Sequence, residues 1–232
     1  MKIFIKILSS LLLLASCTLA DTNITTPKEK TNTAWIVDGH VLPPEPDKAL
    51  NDSTLLGIDS NNNGVRDDVE RWIYETYNEY IPCHQELDGE ETLPSGQVIQ
   101  FGKEVCEDNP VPYHPVVRAV VMDIAREAQK IIIEPKNARI PDIKFTKAYG
   151  CASVVADMRD INNRPLSEKR LLDKNLKKIQ FNTIQRARAY GKFNFNLSGS
   201  VYTLPTDDVI LQGCSQEVHI LLEELKTHNV SK

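Results

Sequence analysis

Oxygen-bearing side chains recur at alternate positions in one short segment of the chain. Asp59, Asn61 and Asn63 are followed by Gly64, and Glu70 completes the segment. Alternating side chains on a tightly turning loop converge on one point, and carboxylate and amide oxygens are the ligands that Ca²⁺ prefers. The spacing therefore predicts a loop at residues 59–70 that binds one calcium ion.

All the fixed positions of the pattern D-x-[DN]-x-[DN]-G-x5-E are filled, and a chance match in a chain of ordinary composition has odds of about one in a thousand. The segment thus resembles the EF-hand family over its loop and the helix that follows. The resemblance implies a set of six calcium ligands. These are the side chains of Asp59, Asn61 and Asn63, the backbone carbonyl of Val65, a direct or water-mediated contact from Asp67, and the bidentate carboxylate of Glu70.

Two departures from the family pattern limit the expected affinity. The eighth loop position, which the family fills with an aliphatic residue that pairs with a second loop, is Arg66, and the chain has one such loop. The entering helix, within Asp47 to Leu56, is short and precedes Gly57. A solitary loop is less preorganised than a paired one, and only Asp59, Asp67 and Glu70 among the ligands carry a formal charge. We therefore expect a dissociation constant of about 0.1 to 1 mM, weaker binding of Mg²⁺, and a constitutive structural ion.

A simpler interpretation treats the segment from Asp59 to Gly64 as an asparagine-rich turn. Its side chains would then hydrogen-bond the backbone ahead of a helix, as short polar side chains commonly do. That interpretation leaves the register of Asp67 and Glu70 unexplained. Calcium binding is therefore the favoured hypothesis.

The first residues have the features of an export signal. Lys2 and Lys6 precede the mainly apolar run Ile7 to Leu14, which is too short to span a bilayer. The run ends in Leu14-Ala15-Ser16-Cys17, which resembles the lipobox of bacterial lipoproteins. We expect a signal peptide at 1–16, an acylated Cys17 and an outer-membrane lipoprotein facing the periplasm or the cell surface. Cleavage after Ala20, which would release a soluble protein, remains the alternative.

Cysteine arithmetic agrees with the lipobox. The chain has five cysteines, and acylation of Cys17 leaves an even set that an oxidising compartment would pair. Sequence order suggests Cys83 with Cys106 and Cys151 with Cys214, although four cysteines permit three pairings.

The remaining chain predicts a tether and one domain. Residues 17–50 are polar and contain Pro43-Pro44-Glu45-Pro46, so we expect a lipidated, partly stiff tether before a domain at 51–232. Apolar residues recur at helical spacing through most of that domain, whereas 82–112 is rich in glycine and proline, with room for a short hairpin at 97–101. The predicted class is mainly α: an irregular helical bundle with one EF-hand-like loop-helix and a disulfide-bracketed loop.

No motif for catalysis is present, so we select no catalytic residues and favour a non-enzymatic role. Without the signal the chain carries 25 basic and 32 acidic residues, a balance that disfavours nucleic acid as a partner. The expected function is that of a calcium-binding accessory or binding lipoprotein, with the membrane as its partner through the lipid anchor. Two alternatives stay open: a periplasmic enzyme with a site assembled from distant residues, and a module that binds an unidentified protein or anionic partner through a basic helix at 168–192.

Overall fold

The computed structural model describes residues 35–136, 139–160, 163–167, 174–198 and 206–230. Every described residue belongs to one unit of the chain, Ala34–Lys232. The expected signal peptide and the lipidation residue Cys17 therefore lie outside the described residues.

Two strands, two helices, four strands and then six helices follow one another along the described chain. The helices are α1 (Lys48–Ser53), α2 (Asp67–Thr76), α3 (Pro115–Ile133), α4 (Arg139–Asp157), α5 (Lys174–Gln180), α6 (Ile184–Leu197), α7 (Asp207–Gln212) and α8 (Gln216–Val230). The strands pair as β1 (Ile36–Val37) with β2 (His40–Val41), β3 (Glu79–Tyr80) with β6 (Val111–Pro112), and β4 (Cys83–Thr92) with β5 (Val98–Cys106). With 51% helical and 17% strand residues the protein is mixed α and β, so the predicted mainly α class is wrong.

The largest source of this error is the β4–β5 hairpin, which occupies a segment that we expected to be a loop. Its strands pair from Cys83 opposite Cys106 to Thr92 opposite Val98. The tight turn at its tip is closed by Leu93, whose N–H donates to the Gln97 carbonyl at 2.8 Å. Both strands are almost entirely exposed. Leu87 is the one large apolar residue of β4, and only β5 shows a partial alternation, at Ile99, Phe101 and Val105. The short hairpin expected at 97–101 covers only part of one real strand.

Helix α3 forms the centre of the fold. Pro115 starts it, where the absent N–H costs nothing, and Glu134 ends it just before Pro135. Most of its residues are buried, among them Val117, Val120, Val121, Ile124 and Ile131. Accordingly α3 contacts α2, α4, α5, α6 and α8. None of the described helices combines the length and apolarity that crossing a bilayer requires.

Two disulfides are present, and they confirm the expected cross-linking. One joins Cys83 to Cys106 at the base of the β4–β5 hairpin, and the other joins Cys151 in α4 to Cys214 between α7 and α8. Of the three pairings that the sequence allowed, the structure has the one that sequence order suggested.

The basic segment 168–192 is not one continuous helix in its described part. Helix α5 ends at Gln180, and α6 begins afresh at Ile184 after Thr183, whose hydroxyl accepts from the N–H of Arg186 at 3.2 Å. Residues 168–173 lie outside the described range. The predicted single basic face is therefore divided between two helices.

Candidate metal centre

The predicted calcium loop lies between α1 and α2. The N–H of Asp67, the first residue of α2, donates to the carbonyl of Ile58 at 2.8 Å and closes the loop across its ends. Within it, Asn62 and Gly64 adopt positive φ values of 55° and 85°. Asparagine and glycine tolerate that conformation best, so these residue types let the chain turn tightly enough for its side chains to face inward.

Glu70 provides the point on which the loop converges. It lies in the first turn of α2 and is 0% exposed. Its Oε2 accepts from the side-chain amides of Asn61 at 3.0 Å and Asn63 at 2.8 Å. The structure therefore brings together three of the six predicted ligands, which lie up to nine residues apart in the chain.

Asp59 and Asn63 shape the loop through backbone contacts. The two carboxylate oxygens of Asp59 accept from the N–H groups of Asn63 at 3.1 Å and Gly64 at 2.9 Å. Asn63 Oδ1 accepts from the N–H of Val65 at 2.9 Å, and the side chain of Val65 is buried in the core. These are the contacts that the asparagine-rich-turn interpretation predicts, and they fix the curvature of the loop.

Asp67 is the feature that a simple turn does not need. It is 1% exposed; its Oδ1 accepts from the N–H of Ser60 at 2.9 Å, while its Oδ2 is buried with no hydrogen-bond partner. Burial raises the pKa of Asp67, and the charges of Asp59 and Glu70 raise it further against the opposing effect of the Ser60 contact. A positive charge placed here would therefore be stabilised.

The protein itself supplies little positive charge to this site. Across the part of the chain that the structure describes, none of Asp59, Asp67 and Glu70 forms an ion pair with lysine or arginine. Arg126 comes near, because its Nε donates to the carbonyl of Asn63 at 3.2 Å, but its guanidinium also pairs with Asp123 at 2.5 Å.

The donor set suits a hard cation only if asparagine oxygens take part. In the described ranges, no group of three His, Cys, Asp or Glu side chains is placed to hold a metal ion. Each asparagine amide carries an oxygen as well as an NH₂ group, and a half-turn about its last side-chain bond exchanges the two. Asn61 and Asn63 can thus present oxygen to the point where their NH₂ groups now meet Glu70, although the half-turn gives up the contacts of those oxygens with the N–H groups of Asn63 and Val65. In that arrangement the residues present fit an oxygen-ligated ion.

Arg66, at the eighth loop position, has a contact that the sequence did not indicate. It is 0% exposed, pairs with Asp68 at 2.8 Å, and donates to the carbonyls of Ile179 at 2.8 Å and Gln180 at 3.0 Å. The guanidinium of Arg66 therefore ties the loop to the end of α5. Arg186 of α6 extends this contact by donating to the carbonyls of residues 51, 54 and 55.

His40 is the site residue that the sequence did not identify. Its Nε2 lies 2.7 Å from Oε1 of Glu70, and its ring stacks on Tyr74 at 4.6 Å. The adjacent dipeptide Asp38-Gly39 is a common hairpin turn and could have indicated the β1–β2 pairing. No sequence signal linked His40 to a carboxylate thirty positions further along the chain.

Comparison with known proteins gives no relative. No protein-family model matches the chain, and no curated protein or solved structure matches it at a significant level. The chemistry of the candidate centre therefore rests on its own residues.

Proposed function

We propose that the 59–70 loop binds one calcium ion, and that this ion is a structural part of an exported accessory lipoprotein. The observation that carries the proposal is the buried carboxylate of Asp67, whose Oδ2 has no hydrogen-bond partner, beside buried Glu70, which contacts the imidazole of His40 but no lysine or arginine in the described structure. Burying an unpaired charge is costly, and a bound cation would offset that cost. Hydrogen bonds alone leave one oxygen of Asp67 without a partner.

The expected ligands are the six that the pattern predicts, from Asp59 to Glu70. When bound, the ion supplies positive charge and no reactive chemistry. The chain supplies the framework: Val65 and Val69 anchor the loop in the core, and Gly64 permits its turn. Calcium is favoured over magnesium because a mixed set of amide, carbonyl and carboxylate oxygens on a loop suits its longer and more variable contacts.

Thermal unfolding of the protein with calcium, with magnesium and with chelator tests the proposal. Calcium at ten times its dissociation constant should stabilise the protein by about 1.4 kcal/mol, or roughly 3 to 6 °C in Tm for a domain of this size. Glu70→Gln should abolish the shift. Glu75→Gln is the matched control, because Glu75 lies on the same helix but is exposed. An equal shift with magnesium, or one that survives Glu70→Gln, would contradict the proposal.

A second candidate function is binding to an anionic lipid surface, and the outward face of α6 favours it. Ile184 and Phe195 are 71% and 78% exposed, and Arg188 and Lys192 share their helix face. Exposed apolar side chains can enter the acyl-chain region of a bilayer while neighbouring basic side chains contact anionic headgroups. Each basic residue near the surface contributes about 1 kcal/mol of electrostatic attraction. The predicted lipid anchor would hold this face near a membrane.

Vesicle co-sedimentation tests this second candidate. The protein should bind phosphatidylserine vesicles more strongly than phosphatidylcholine vesicles, and Lys192→Glu combined with Phe195→Ser should remove the difference. Phe101→Ser, at an exposed phenylalanine of the hairpin, is the matched control. Equal binding to both lipids, or an equal loss in the control, would exclude this face as the cause.

A further inference from the structure

Residues 35–47, which we call the strap, lie against the helix that carries Glu70. The strap belongs to the segment expected to be a tether, yet it contacts α2 and α3. Asp38, at its turn, pairs with Arg118 of α3. Arg71 of α2 pairs with Glu45 at 2.7 Å, donates to the carbonyl of Pro43 at 2.8 Å and lies over the ring of Trp35. The strap is thus attached near both of its ends and at its turn.

These attachments place His40 over the closing carboxylate of the loop. The ring stacks on Tyr74 with its plane 13° from parallel, and Tyr74 is one turn after Glu70 on α2. Antiparallel pairing of Val37 with His40 sets the direction of the side chain. Nε2 then reaches Oε1 of Glu70 at 2.7 Å, the shortest of the three contacts that the Glu70 carboxylate makes with side-chain nitrogens.

The contact of His40 differs from the other contacts of Glu70. The amides of Asn61 and Asn63 meet Oε2 from within the loop and must present oxygen when they ligate an ion. His40 approaches Oε1 from outside the loop, and a carboxylate oxygen has two lone pairs, so one oxygen can meet an ion and accept from a ring N–H together. Hydrogen bonds of this kind orient metal ligands, and their loss typically costs about 10- to 100-fold in affinity.

We propose that His40 is a positioning residue of the calcium site, and that the strap supplies the preorganisation that a paired loop obtains from its partner. This inference rests on the proposed function. By holding Oε1, His40 fixes the rotation of the Glu70 carboxylate so that both of its oxygens face the loop. The strap is therefore part of the site and not only a spacer.

Calorimetric titration of the full chain with calcium chloride, at one pH, tests the inference through two replacements of the same residue. His40→Phe keeps a ring for Tyr74 but removes the donor, and it should raise the dissociation constant about tenfold. His40→Gln removes the ring but keeps an N–H donor, and it should stay within about threefold of the wild type. His84→Phe makes the first change at an exposed hairpin histidine and should have no effect.

Unfolding of each variant in chelator separates positioning from a general structural role. His40 is 39% exposed, so both replacements should fold and differ little in Tm without calcium. Equal calcium affinity in His40→Phe and the wild type would overturn the inference, and so would equal losses in His40→Phe and His40→Gln, because packing would then explain the effect. If the wild type binds no calcium at all, the proposed function itself fails.

Discussion

The 59–70 loop and the β4–β5 hairpin share an acidic character but differ in their structural surroundings. Both are rich in acidic residues and contain glycine at a turn. The loop encloses buried carboxylates and rests on the core through Val65 and Val69, whereas the hairpin exposes nearly all its side chains and contacts mainly its own strands. Polar composition alone therefore does not determine how strongly a segment is tied to the rest of the domain.

This difference predicts unequal consequences of disrupting the two regions. The loop cannot open without exposing buried apolar side chains, so its disruption should unfold the domain. The hairpin can lose its strand pairing while the body stays folded, because a two-stranded ribbon depends only on itself.

The largest expected effect concerns the two disulfides. Replacing Cys151 and Cys214 by serine should lower the free energy of unfolding by about 4 kcal/mol, as expected for closing a long loop. For the shorter loop between Cys83 and Cys106, loop-closure entropy alone gives roughly 3 kcal/mol. Replacing these two cysteines by serine should lower the free energy of unfolding by less than that, because the freed hairpin also gains conformational freedom in the native protein. Urea unfolding monitored by tryptophan fluorescence measures both, and equal losses would refute the independence of the hairpin.

Two glycines with similar backbone conformations give the next test. Gly57 and Gly96 have φ values of 75° and 81°, but a Cβ on Gly57 would lie 2.2 Å from Cδ of buried Arg66, whereas a Cβ on Gly96 meets nothing within 4 Å. Gly57→Ala should therefore cost about 3 kcal/mol or more, against about 1 kcal/mol for Gly96→Ala. Chemical denaturation measures the loss in the free energy of unfolding for each variant. Similar losses would mean that backbone strain alone determines the effect of the substitution.

A smaller effect, of opposite sign, is expected at Asp67. Its raised pKa means that the charged form is disfavoured in the folded protein. Asp67→Asn should therefore stabilise the protein in chelator at neutral pH and remove the calcium-dependent shift in Tm. Asp88→Asn, at an exposed hairpin residue, should change neither quantity. A destabilised Asp67→Asn variant in chelator would show that the loop tolerates its buried charge.

The smallest effect at neutral pH concerns two half-buried tyrosines, Tyr74 and Tyr149. Burial raises the pKa of Tyr74 to about 12, with help from the charges of Glu70 and Glu217, and burial raises that of Tyr149 to about 12 as well. Both phenols favour the neutral form in the folded state, so their contribution to stability should persist to about pH 10 and be lost as pH rises through about 12. Phenolate absorbance and unfolding measured across that range check the prediction; the hairpin, which has no tyrosine, should not contribute.

The sequence predicted those parts of the fold that depend on local patterns. Pro115 and the apolar spacing after it gave helix α3, and cysteine order gave the disulfide pairing that the structure contains. It did not predict the full β4–β5 hairpin, because β4 has almost no apolar residues that mark a strand and the partial alternation in β5 indicated only a short hairpin at 97–101. The sequence also predicted one helix where the structure has α5 and α6. The break at Thr183 accompanies a contact between Arg186 and the distant carbonyl of Asn51, which no local pattern indicates.

By itself the sequence determined the register of Asp59, Asn61, Asn63 and Glu70, because ligand spacing on one short loop is a local property. Only the tertiary structure decided that Asp67 is buried with an unpartnered oxygen and that His40 meets Glu70. These contacts join segments that are distant along the chain. They form because α3 draws the helices together and the strap lies across α2, so the electrostatics of the loop follow from packing that no local pattern encodes.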